Sequence, residues 1–176
     1  MSFPEEPLNR PPSEGGGYYP AAVHQKLNGE QYQIVRKLGY GSRSSTWLVE
    51  RARDNEYFAV KIMTVAASEQ AKTTELPIFK SVASIRENIL PVFYGSFWEQ
   101  SGAGSHLCIA MNPLSTSVHS LQLDAEYQRL PVHAVQRIVF TVVGALRALH
   151  DIDIMHGGKS PIFTGTIDVA KATFSD

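Results

Sequence analysis

The sequence predicts an α+β fold: a five-stranded antiparallel sheet with one helix, followed by a long amphipathic helix. Three observations carry this. Stretches of strand period are separated by short turns rich in glycine and polar residues. A single helical stretch lies between the third and fourth of them. Apolar residues then recur at helical spacing across residues 131–150.

In order, residues 1–17 are rich in Pro, Gly and charge and bury too little apolar surface to offset ordering, so a disordered tail is expected. No strand leads into Gly15-Gly16-Gly17, which reads as linker. Gln31 to Leu38 is the first strand, and Thr46 to Arg51 follows a glycine turn. After the turn Arg53-Asp54-Asn55, Tyr57 to Met63 alternates like a half-buried strand. Ala66 to Val82 is helical in pattern but contains Pro77, which costs a helix interior roughly 3 kcal/mol, so a late start, kink or break is expected. Ile89 to Trp98 and His106 to Met111 are the last two strands, joined by Ser101-Gly102-Ala103-Gly104-Ser105. Pro131 then opens a helix to His150, carrying Val132, Val135, Ile138, Val139, Val142, Ala145, Leu146 and Leu149 on its apolar stripe. Trp47 and Trp98 read as core aromatics.

With 176 residues, 43% hydrophobic, the chain suffices for one domain, or a domain and part of another. A net charge of -1 gives no reason to expect nucleic acid or an anionic membrane as partner. The single cysteine, Cys108, has no internal partner and suits a reducing compartment. No apolar signal core and no membrane-spanning run are expected, so cytoplasm or nucleus is the expected location. His119, His133 and His150 share no metal-ligand spacing with cysteine, and no metal site is expected.

The chemistry begins at Leu38-Gly39-Tyr40-Gly41-Ser42-Arg43-Ser44-Ser45-Thr46-Trp47-Leu48, which reads strand, glycine turn, strand. Glycines let a backbone approach phosphate oxygens and offer amide donors. Alone, Gly39 and Gly41 are explained equally well by a hairpin. Ala59-Val60-Lys61 on the following strand changes the balance, because an ammonium there can reach back beneath the loop. By alternation Lys61 faces opposite to Val60 and Ile62.

With these motifs in order, the sequence resembles eukaryotic-type protein kinases, and more narrowly the SR-protein kinases that phosphorylate Arg/Ser-rich splicing factors. Tyr19-Pro20, Val23-His24, Leu27-Asn28-Gly29 and Tyr32 to Gly39 resemble that family's entry into the kinase fold, and Trp47-Leu48 its second strand. The resemblance runs from about Tyr19 to Pro161. It implies a kinase-like small lobe and hinge over 18–114, the start of the large lobe over 115–163, and a divergent tail over 164–176. It further implies that Gly39, Gly41 and Ser44 cover the phosphates of ATP, that Ala59 packs on adenine, and that Lys61 holds the phosphates while paired with Glu75. Pro77, two residues on, argues against that pairing. Met111 is implied as the gatekeeper, with adenine contacts from the Asn112 carbonyl and the Leu114 amide; Pro113 lacks an amide donor.

The resemblance fails after Ile154-Met155-His156. Where the family's catalytic loop has a base Asp, a charge-neutralising Lys and a magnesium-holding Asn, this sequence has Gly158, Ser160 and Phe163. Lys159 is one place off register, and no Asp-Phe-Gly follows. Three readings stand open. One is an SR-kinase-like pseudokinase with residual ATP binding, magnesium left open, and a protein partner on the exposed face of the long helix. Another is a Ser/Thr kinase family member whose chain is incomplete here. The last is a non-nucleotide interaction module.

Overall fold

The computed structural model describes residues 6–14, 16–83, 85, 90–114 and 117–155. Two compact units divide the chain: residues 1–83 with 92–113, and residues 84–91 with 114–176.

The first unit is a sheet. Its strands are β1 (Lys26–Leu27), β2 (Tyr32–Gly41), β3 (Ser44–Arg51), β4 (Tyr57–Met63), β5 (Phe93–Ser101) and β6 (Gly104–Met111). They lie in the order β1-β2-β3-β4-β6-β5, and every neighbouring pair is antiparallel. Six strands replace the five expected. The additional one, β1, is two residues long and too short to show a period. The fourth expected strand begins at Phe93 rather than Ile89, and residues 86–89 lie outside the described residues. Between β3 and β4 the chain turns through Asn55 at φ 58. There Arg51 grips Asp54 through two hydrogen bonds, holding its carboxyl down at about 2.

Both faces of the central strands are covered. On one face Tyr32, Ile34, Trp47, Val49, Phe58, Val60 and Ile62 pack with Cys108 and Ala110. On the other, Ala59, Met63, Leu107, Ile109 and Met111 pack with residues of two helices, α1 (Val65–Thr73) and α2 (Glu75–Val82). This explains why β4, expected to be half-buried, has only Tyr57 exposed. Trp47 is a core aromatic as expected, but Trp98 is 40% exposed, with the Lys72 ammonium over its ring.

The single helix expected over 66–82 is two helices, broken at Thr74. Thr64 caps α1 by accepting from the Ala67 amide. At its end, the hydroxyls of Thr73 and Thr74 both donate to the Gln70 carbonyl. The break places Pro77 in the first turn of α2, where its missing N–H has no intrahelical acceptor to lose.

Residues 6–14 and 16–17, expected to be disordered, are folded back on themselves and held to the sheet and α1. A 3-10 turn spans Pro12–Glu14, and the Gly17 amide closes back onto the Arg10 carbonyl at 2.9 Å. Gly17 has φ +74, and a Cβ there would lie 2.8 Å from Pro12 and 3.3 Å from Val65, so this position calls for glycine.

The second unit contains α3 (Val118–Asp124), capped by Ser117, and α4 (Val132–His150). α4 matches the expected helix within one residue. Ala145 and Leu149 are buried, whereas Val132, Val135, Val139, Phe140 and Val143 are exposed. By length and composition α4 is sufficient to cross a membrane, which corrects the expectation that no run is. It also carries Arg137 in its first half and Arg147 in its last turn, charges that are costly within a bilayer.

Candidate functional site

The site is assembled by β2, β3, β4, β6 and α2. Gly39 pairs with Thr46 and Gly41 with Ser44, leaving Ser42-Arg43 as the hairpin tip. The Arg43 carbonyl accepts from the Thr64 amide at 2.9 Å, and its guanidinium donates to Gln70 at 2.6 Å. Neither Gly39 nor Gly41 takes a positive φ. A Cβ at either would meet nothing within 4 Å. The fold itself therefore does not demand glycine at these positions; what they leave is open space beside the backbone.

Lys61 lies in the middle of β4, opposite Thr46 of β3 and Ile109 of β6. Val60 and Ile62 point into one core, and Lys61 points the other way, as strand alternation requires. Its ammonium meets the Glu75 carboxylate at 2.7 Å. Both side chains are nearly enclosed, at 12% and 11% exposure. The doubt cast on this pair by Pro77 is removed by the break at Thr74, which makes Glu75 the first residue of α2. A carboxylate at a helix N-terminus is also favoured by the helix dipole. A pair this enclosed fixes the ammonium in one direction.

Ala59 and Met111 are register partners and share the apolar cluster beneath the helices. Ser44, the first residue of β3, is half-buried. Asn112 makes bonds beyond the adenine contact expected of its carbonyl. Its amide donates to the Val92 carbonyl at 3.1 Å, and its side-chain oxygen accepts from the Val92 amide at 2.7 Å. Asn112 thus stitches the end of β6 to the approach of β5, leaving its carbonyl as the group it can offer an adenine. Leu114, the other hinge residue expected, belongs to the second unit. The catalytic-loop positions Gly158, Ser160 and Phe163 lie outside the described residues.

Sequence reasoning missed His106. It is fully buried, with Nδ1 2.8 Å from the Met63 carbonyl and Nε2 2.8 Å from the Ser101 hydroxyl. The Met63 carbonyl can only accept, so Nδ1 donates to it, while the Ser101 hydroxyl can serve Nε2 as either donor or acceptor. Burial pushes its pKa below the usual histidine value. Burial likewise pushes the Cys108 thiol up, so this cysteine is unreactive.

No protein-family model matches the sequence. Among curated proteins, mouse SRSF protein kinase 3 is 30% identical over 148 residues, covering 80% of this chain and 25% of its own length. Protein kinase dsk1 of Schizosaccharomyces pombe is 26% identical over 156 residues, covering 83% of this chain and 28% of its own. The chain is SR-protein-kinase-like. It spans about a quarter of the length of these kinases. Solved structures agree on the fold. The Mycobacterium tuberculosis PknI kinase domain superposes with a TM-score of 0.63 at 21% identity, covering 82% of this chain and 56% of that one. A further crystallised kinase domain gives 0.67 at 19% identity, covering 77% and 39%. The six-stranded sheet with α1 and α2 is thus a kinase small lobe, and α3 and α4 are the first helices of the large lobe.

Proposed function

We propose that this chain binds ATP through its small lobe and does not itself transfer phosphate. The observation that supports binding is the Lys61–Glu75 pair, set beneath a hairpin whose two glycines leave space the fold does not need. Gly39, Gly41 and Ser44 would cover the phosphates, Lys61 would neutralise their charge, and Ala59 and Met111 would bound the adenine, with the Asn112 carbonyl on its edge. These residues fit a nucleotide: an oriented cation, open backbone and an apolar wall. The bound nucleotide would supply the phosphoryl group that kinase relatives transfer.

The reading of no transfer rests on residue identity in the loop after His156. Glycine at 158 has no carboxylate to accept a hydroxyl proton, and phenylalanine at 163 has no oxygen for magnesium. An intracellular scaffold role follows, with the exposed valines of α4 as the surface for a protein partner. Thermal-shift titration with ATP, with and without magnesium, tests binding. A rise in Tm that is lost in Lys61→Ala is expected, and no rise in the parent protein would contradict it. A phosphotransfer assay on an Arg/Ser-repeat peptide is expected to show no turnover; turnover abolished by Lys61→Ala would overturn the second half.

A further inference from the structure

The segment before the sheet is attached to the glycine hairpin itself. Tyr18 donates its hydroxyl to the Gly41 carbonyl at 2.8 Å, and its ring meets the Tyr40 ring edge-on at 6.4 Å. Glu6, almost fully buried, forms an ion pair with Lys37 of β2. The Lys37 ammonium also lies 5.2 Å from the Tyr40 ring and 5.4 Å from the Trp47 ring. Between these two anchors, the Gly17 carbonyl accepts from the Val65 amide at the start of α1. The segment is thus held to the body of the lobe at Val65 and to the hairpin at Gly41, Tyr40 and Lys37.

We propose that residues 6–14 and 16–18 form a strap that clamps the glycine hairpin against opening, with Tyr18 and Glu6 as its positioning residues. A hairpin bound only through its own two strands would open by fraying from Ser42-Arg43 inward. The Tyr18 hydroxyl sits on the last paired residue of β2, where fraying starts, and the Glu6–Lys37 pair sits four residues back, in the middle of the same strand. Two of the strap's three attachments are on the hairpin and the third is on the body of the lobe, so release of the strap loosens β2 at its tip. Resting on the nucleotide-binding reading above, the same clamp slows entry and release of nucleotide beneath the hairpin. Arg43 is held separately, from α1, so the hairpin tip keeps a fixed point when the strap lets go.

The test is amide hydrogen exchange on the full chain without nucleotide, comparing the parent with Tyr18→Phe and Glu6→Gln. Tyr19→Phe is the control, because its hydroxyl bonds Gln25, away from the hairpin. Loss of one net hydrogen bond is expected to speed exchange at Tyr40 to Ser45 by roughly fivefold, with β5 and β6 unchanged. The control is expected to leave the hairpin at the parent rate. Unchanged hairpin exchange in both strap variants, or a rise spread equally over β5 and β6, overturns the clamp. Release of a fluorescent ATP analogue is then expected to be faster in the strap variants. If the parent binds no analogue while Tyr18→Phe still loosens the hairpin, the clamp is supported and the nucleotide reading alone fails.

Discussion

β4 and α4 are both apolar stretches, and they end up in opposite environments. β4 is sandwiched between two apolar layers, so even its alternate residues are buried, and the one cation among them, Lys61, is matched by Glu75. α4 has buried Ala145 and Leu149, yet Phe140 is 79% exposed and four valines lie open beside it. Hydrophobicity in a sequence thus reports the surface a segment is built to meet, and only the structure shows whether that surface is present. In β4 it is, and the enclosure it creates gives a charged pair its fixed geometry.

The sharpest way to break this contrast is to truncate one ring on each side of it. Phe79→Ala, in the cluster beneath α1 and α2, is expected to cost about 3–5 kcal/mol in denaturant unfolding followed by Trp47 fluorescence. Phe140→Ala is expected to fall within about 0.5 kcal/mol of the parent. Equal costs would mean that α4 is covered in solution. Next in size, Glu75→Ala removes the partner of an enclosed ammonium and is expected to cost about 1–3 kcal/mol, read as a lower Tm. No loss would mean that the pair is open to water.

His106 provides a pH-dependent measure of the first unit's packing. Its folded pKa is depressed by burial, so the unfolded chain takes up a proton that the folded chain refuses. Stability is therefore full above the ordinary histidine range and is lost as pH falls below about 6.5, by up to about 1.4 kcal/mol per pH unit. Denaturation midpoints across that range are expected to be flatter in His106→Gln. The smallest stability effect is expected at the hairpin. A Cβ at Gly41 meets no neighbour, so Gly41→Ala should leave unfolding within about 1 kcal/mol of the parent while weakening ATP binding. A large stability loss there would show that the glycine serves the fold instead.

Much of the first unit was legible in the sequence, because β2, β3 and β4 are rich in strand-forming residues between short turns and β6 carries an apolar run bounded by a glycine turn. β1 was not, since two residues cannot show a period. Pro77 was read as a threat to the Lys61–Glu75 pair because sequence alone places it inside one helix. The Thr73-Thr74 break, which moves it to a first turn, depends on hydroxyls folding back onto Gln70. Likewise the ordering of residues 6–14 and 16–18 was hidden by their Pro- and Gly-rich composition. What orders them is a set of contacts with β2 and α1, distant in sequence. Asn112 was read for adenine, and its bonds to Val92, twenty residues earlier, were invisible for the same reason. The helix α4 was readable to within a residue, and the exposed face expected of it is there in Val132, Val135, Val139, Phe140 and Val143.

The central claim is that an enclosed, oriented Lys61 serves a nucleotide. An ATP binding isotherm by calorimetry, on the parent and on Lys61→Ala, tests it most directly. Saturable binding by the parent that is weakened at least about tenfold by Lys61→Ala is predicted, matching the loss of a charge-assisted contact to phosphate. No heat of binding in the parent, or an unchanged isotherm in the variant, would contradict it.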